Sequence, residues 1–101
     1  MAITRGATIT NWFDVDIDFT EAEKIYITYK QSGRTVLEKT LEDCVITPKR
    51  IEVSFSQSET LKFRENADVE IQIRVKMPDE SAHVSEIINT TTTKLLKEGV
   101  I

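Results

Sequence analysis

Asp68-Val69-Glu70-Ile71-Gln72-Ile73-Arg74-Val75-Lys76-Met77 decides the fold class. Val69, Ile71, Ile73, Val75 and Met77 share one parity, and Glu70, Gln72, Arg74 and Lys76 share the other. Side chains alternate across a strand, so this stretch reads as a β-strand with one dry and one wet face. The same alternation recurs on both sides of it. Phe13, Val15, Ile17 and Phe19 alternate with Asp14, Asp16 and Asp18, and Ile51, Val53 and Phe55 alternate with Glu52, Ser54 and Ser56.

Turn signals separate these runs about every ten residues, as expected for a sandwich or small barrel. Further strands are expected over Ile25 to Lys30, Thr35 to Leu41, Cys44 to Thr47 and Ala82 to Thr93. Gln31-Ser32-Gly33-Arg34 reads as a hairpin turn, with Gly33 available for a positive φ. Thr47-Pro48-Lys49-Arg50 and Pro78-Asp79-Glu80-Ser81 read as turns. Thr20-Glu21-Ala22-Glu23 and Ser56-Gln57-Ser58-Glu59 each carry the spacing of a capping box over one helical turn. Leu61 and Phe63 are expected to point inward after the second box. Single-faced alternation in several strands calls for two inner faces, which favours a sandwich. The expected organisation is an extended N-terminal arm over 1–7 and a single β-sandwich domain over 8–101. Its short C-terminal tail is expected to close with a helical turn.

The chain has 101 residues, one Cys and a formal net charge of -4. That length corresponds to one domain. The acidic balance argues against nucleic acid as a partner, because phosphate binding needs a concentrated basic face. Cys44 is alone, so no internal disulfide is expected. The N-terminus lacks the apolar run of a signal peptide and has Ala2 where myristoylation needs Gly. No apolar stretch reaches the length of a membrane span. The expectation is synthesis in a cytoplasm, with no membrane association.

Candidate chemistry is sparse. His83 is the only histidine, and no G-x-S-x-G motif or Gly-rich oxyanion loop accompanies it. Asp14, Asp16 and Asp18 imitate the start of a calcium loop. Carboxylates at strand period lie about 7 Å apart and cannot wrap one ion. Asn89-Thr90-Thr91 matches a glycosylation pattern but reads more simply as β-branched strand. Lys49-Arg50 reads as a solvated basic pair, and Cys44 as a small buried apolar residue. The sequence therefore predicts a non-enzyme with no catalytic residue, no metal, no cofactor and no small-molecule substrate. Trp12 and Tyr26 stand out, because both fall on the wet parity of their strands. Exposed aromatic rings on a rigid sheet are good interface anchors. The two ends are the other candidate contact elements, through Arg5 in the arm and Val100 and Ile101 at the C-terminus. The expected contact surface is thus the side bearing Trp12 and Tyr26, together with the termini.

A resemblance adds to this reading. It is carried by Met1-Ala2-Ile3-Thr4-Arg5-Gly6, by Ile25-Tyr26-Ile27-Thr28-Tyr29-Lys30-Gln31 with Ser32-Gly33, and by Val36-Leu37-Glu38-Lys39. Ser56-Gln57-Ser58-Glu59-Thr60-Leu61-Lys62-Phe63, Val69-Glu70-Ile71-Gln72-Ile73-Arg74 and Leu95-Leu96-Lys97-Glu98-Gly99-Val100-Ile101 continue it. Across most of its length the chain resembles small proteins encoded in the structural modules of tailed phages and prophages of Gram-positive bacteria. These look like virion components, and some phage baseplate proteins begin with a similar small β-sandwich. The resemblance implies a non-enzymatic virion protein of adaptor, decoration or baseplate type, made in the bacterial host cytoplasm. Its implied partners are other virion proteins in a symmetric assembly on the particle. No catalytic motif defines the group, so no active site is implied. The alternatives are a module that binds carbohydrate on the host surface and a small inhibitor of a host protein. The expected fold is an all-β, immunoglobulin-like antiparallel sandwich of about seven strands, with one-turn helices in the crossovers.

Overall fold

In a computed structural model, which describes residues 2–101, the alternating segments pair into two facing antiparallel sheets. The first sheet contains β1 (Ile9–Asp14), β5 (Arg50–Phe55) and β4 (Cys44–Thr47), in that spatial order. The second contains β3 (Arg34–Thr40), β2 (Lys24–Gln31) and β6 (Asp68–Lys76). Beyond β6 lie two short segments, β7 (Ala82–Val84) and β8 (Ile88–Thr91). They pair with successive stretches of β6: Arg74 to Lys76 with β7, and Asp68 to Ile71 with β8.

The described residues thus form eight strands, because the expected single strand over 82–93 is interrupted. Ser85 is the cause. Its backbone N–H donates to Ile73 O and its Oγ accepts from Ile73 N–H, both at 2.9 Å, so a side chain replaces the ladder at that step. β1 is also shorter than the alternation predicted. Its partner begins at Arg50, opposite Asp14. Past one further bond, from Val15 N–H to Lys49 O, the chain leaves the sheet as a loop over 15–23.

Both crossovers that follow β3 and β5 contain a single helical turn: a 3-10 turn (Leu41–Asp43) and α1 (Gln57–Thr60). The Ser56 capping box is present, with Ser56 Oγ accepting from Glu59 N–H and Glu59 Oε1 accepting from Ser56 N–H. The Thr20 box is absent. Asp18 Oδ1 accepts from both the hydroxyl and the N–H of Thr20, which closes a local turn instead of a helix. The β2–β3 hairpin turns through Ser32 at φ 51° and Gly33 at φ 75°. Positive φ at both central residues matches the right-handed twist of the strands.

Phe13, Ile25, Ile27, Tyr29, Ile51, Val53, Phe55, Phe63, Val69, Ile71, Ile73 and Val75 fill the space between the sheets. Tyr29 lies edge-on to Phe55 and Phe63, with ring centroids 5.0 and 5.9 Å away. Asn11 Nδ2 on β1 donates to Tyr29 Oη on β2 at 2.9 Å, a buried polar link from one sheet to the other. Burial pushes the Tyr29 phenol well above its ordinary pKa, so the hydroxyl stays neutral.

The N-terminal segment differs from the expected arm. Ile3 is fully buried and forms a parallel bridge with Thr92, its N–H donating to Thr91 O and its O accepting from Thr93 N–H. Residues 2–7 are therefore docked on the sandwich. One large apolar side chain and two backbone bonds are enough to hold so short a segment. The C-terminal tail has no helical turn; it crosses the same end as an irregular segment.

Candidate functional site

Arg5 lies at the junction of the two termini. Its Nε donates to Phe63 O at 2.7 Å, and its Nη1 and Nη2 each donate to Glu98 at 2.9 Å. Such a fork is the strongest way for a guanidinium to hold a carboxylate. Hydrogen bonding and charge at Glu98 raise the Arg5 pKa, and Arg5 in turn holds the Glu98 carboxyl below its usual range. Thr60 Oγ1 donates to Ala7 O and accepts from Gly6 N–H. Gln57 brackets Ile101, its Oε1 accepting from the Ile101 N–H at 2.9 Å. The structure thus turns Arg5 inward as a clamp on its own chain, which corrects its expected role as an outward contact. Val100 and Ile101 are exposed at the same end, as is Leu96.

Trp12 is 54% exposed on the outer face of the three-stranded sheet. The register places it opposite Glu52, which is in turn opposite Val45, so Trp12, Glu52 and Val45 form one row across three strands. The Arg50 guanidinium lies 5.5 Å from the Trp12 ring centroid, and its Nε donates to Asp14 Oδ1 at 3.2 Å. This pair holds the cation over the indole, where the ring quadrupole attracts it. Val45 is exposed too. The parity of its neighbours Cys44 and Ile46, which point inward, was the signal for it.

Tyr26 is 40% exposed, but on the outer face of the other sheet. Its row runs Thr40, Tyr26, Arg74, Val84. Val84 and, further along, Ile87 are exposed beside it. Sandwich sheets pack about 10 Å apart with the core between them. Trp12 and Tyr26 therefore face opposite directions and share no surface, which corrects the expectation of a common contact side.

The remaining candidates are structural. His83 packs edge-on against Phe19, 5.5 Å between centroids, and its Nε2 lies 3.4 Å from Ser81 Oγ. Ser81 gives its proton to Asp79 Oδ1 at 2.6 Å, which leaves it directed away from the imidazole that would have to activate it. Asp14 is taken by Arg50 and Asp18 by Thr20. Among the described residues, no group of three His, Cys, Asp or Glu side chains could hold a metal ion. Cys44 Sγ donates to Thr40 O, and burial pushes its thiol up to about 11, which suppresses the reactive thiolate. No described helix is long and apolar enough to cross a membrane.

No protein-family model matches the chain, and no curated protein is similar to it in sequence. Solved structures resemble it in fold. The immunoglobulin-like domain of mouse leukocyte-associated immunoglobulin-like receptor 1, crystallised as a strand-swapped dimer, superposes with a TM-score of 0.50 at 13% identity. That match covers 93% of this chain and 88% of the receptor domain. The V domain of amphioxus IgVJ-C2 matches at 9% identity and a TM-score of 0.36, over 93% of this chain and all of that one. At such identities the likeness concerns the fold alone. Together with the order β1-β5-β4 facing β3-β2-β6-β7, the likeness to the receptor domain shows that the chain is an immunoglobulin-like β-sandwich.

Proposed function

We propose that this protein is a non-enzymatic structural subunit of a tailed-phage virion, of adaptor, decoration or baseplate type, that works by assembling with other virion proteins. The phage reading comes from the sequence resemblance. The observation that carries the assembly reading is the placement of the exposed apolar side chains. Trp12 and Val45 occupy one outer face, Tyr26, Val84 and Ile87 the opposite one, and Leu96, Val100 and Ile101 the end with the termini. Large aromatic rings such as Trp12 and Tyr26, exposed on a rigid sheet, are favoured anchors of contact surfaces. The spread of exposed apolar groups over three sides suits a subunit with several neighbours better than a module with one ligand site. Many modest contacts then add up through repetition around a symmetric particle. Aromatic rings on opposite faces cannot stack on one sugar, so the geometry gives no support to the carbohydrate-binding alternative. Immunoglobulin-like sandwiches commonly serve as binding modules, which agrees with a non-catalytic role.

The test is the protein composition of purified virions. Mass spectrometry of particles from a host carrying the gene is expected to find the chain at a fixed copy number per particle. Its absence from particles, with co-purification of a host protein instead, would overturn the proposal in favour of the inhibitor.

A further inference from the structure

Cationic residues far apart in sequence converge at the end of the sandwich that carries the β2–β3 hairpin. Arg5, Arg34, Lys62 and Arg64 line a cleft of about 600 Å³, with Val36 and Phe63 as its apolar wall. Among the described residues, no Asp or Glu lines it. Arg5 is neutralised by Glu98, with Glu65 also 4.0 Å away, but Arg34 and Lys62 are exposed and have no ion-pair partner among the described residues. Arg64 donates to Ser32 Oγ at 2.6 Å and likewise has no carboxylate partner. The cleft is firmly built. Buried Gln31 donates to Arg64 O at 2.9 Å and accepts from Arg64 N–H at 2.7 Å, which ties the hairpin to the segment after α1. In a chain of net charge -4, this is a local reversal of sign.

At the opposite end one loop is acidic, although Lys24, Lys49 and Lys76 flank it. The loop over 15–23 leads into the start of β2, about 25 Å from the hairpin at roughly 3.3 Å per residue. It carries Asp16, Asp18, Glu21 and Glu23, all exposed, and no Lys or Arg. Ile17, between Asp16 and Asp18, is 43% exposed. A half-exposed apolar side chain flanked by carboxylates matches an apolar wall flanked by cations.

We propose that the basic cleft receives the acidic loop of a second copy, so that subunits associate head to tail. This rests on the assembly function and specifies its geometry. A heterologous contact of this kind closes into a ring or extends as a filament, whereas a two-fold contact stops at a dimer. Complementary charge also steers the encounter and fixes its polarity.

Sedimentation velocity of the purified chain tests it. Oligomers larger than a dimer are expected at about 0.1 M salt and monomers at about 1 M, where the screening length falls to about 3 Å. Two variants neutralise one end each: Arg34→Gln with Lys62→Gln, and Asp16→Asn with Glu21→Gln. All four side chains are exposed, and Asp18 and Arg64 keep their turn contacts, so circular dichroism and melting are expected to match the parent chain. Each variant alone is expected to lose self-association at least tenfold. Their mixture is expected to give a one-to-one heterodimer and nothing larger, because one intact cleft and one intact loop remain. A parent chain that stays monomeric at low salt overturns the inference. So does an oligomer insensitive to salt and to both pairs of substitutions. A monomer that binds poly-glutamate would assign the cleft to a different protein and also overturn it. Presence in virions without self-association sinks this inference and leaves the assembly function standing; the converse result sinks the function alone.

Discussion

Asn11 is the residue at which polarity and position conflict. Its parity is that of Phe13, so its amide lies in the core, where its Nδ2 donates to Tyr29 Oη. A buried polar group left without a partner costs about 1 to 3 kcal/mol, whereas replacing both partners by apolar groups is nearly neutral. Asn11→Val and Tyr29→Phe are each expected to lose about that much in urea unfolding. The double variant Asn11→Val with Tyr29→Phe is expected to recover most of the loss. Additive losses would show that the pair contributes no coupling. Trp12 and Tyr26 follow the simpler rule, since wet parity alone placed both rings outside. Arg5 follows neither. Nothing local foretold that Phe63 O and Glu98, distant in sequence, would draw its side chain inward.

At the scale of elements, the two Thr/Ser-x-x-Glu segments show why a short motif is conditional. Ser56 Oγ has no competing partner and caps α1, whereas the Thr20 hydroxyl is bound to Asp18 Oδ1. Glu59 does more than close the box. Its Oε2 accepts from Lys39 Nζ at 2.7 Å, and that cation, buried on β3, also lies 4.9 Å from the Phe55 ring centroid. Burial raises the Glu59 pKa, but hydrogen bonds and charge from Lys39, with the bonds from Ser56, outweigh it and lower the net value. A carboxylate with a lowered folded pKa stabilises above its unfolded value, and that gain is lost as pH falls through the folded value. Stability in urea is therefore expected to decline below about pH 4.3, the ordinary Glu value, and the decline should be shallower in Glu59→Gln. At pH 7 the same variant is expected to lose about 2 to 3 kcal/mol, because it strands a buried ammonium while Glu59 itself is partly solvated. Lys39→Met removes both the charge and the need for a partner and is expected to be near neutral. An equal loss in both variants would refute this account.

For the whole molecule, the core that supplies stability and the surfaces proposed for assembly are separate. The core lies between the sheets, while the proposed contacts lie on their outer faces and at the two ends. Trp12→Ala is therefore expected to change unfolding free energy by less than about 1 kcal/mol, the size of an exposed cation–π contact. Incorporation into particles is expected to fall. Trp12 is the only tryptophan, so its emission is expected to shift to the blue on assembly as water leaves the ring. A large loss of stability, or normal incorporation, would remove Trp12 from the contact surface. Local pattern was enough for the strand grammar, the parity of β2, β5, β6 and the paired part of β1, the hairpin at Ser32-Gly33 and the capped turn at Ser56, because these depend on residues a few positions apart. Which sheet each strand joins depended on long-range pairing. That choice put Trp12 and Tyr26 on opposite faces, docked Ile3 beside Thr92, let Ser85 interrupt the last strand and gathered Arg5, Arg34, Lys62 and Arg64 into one cleft. Parity is a property of a single strand, whereas a shared surface is a property of long-range pairing, which local pattern does not encode.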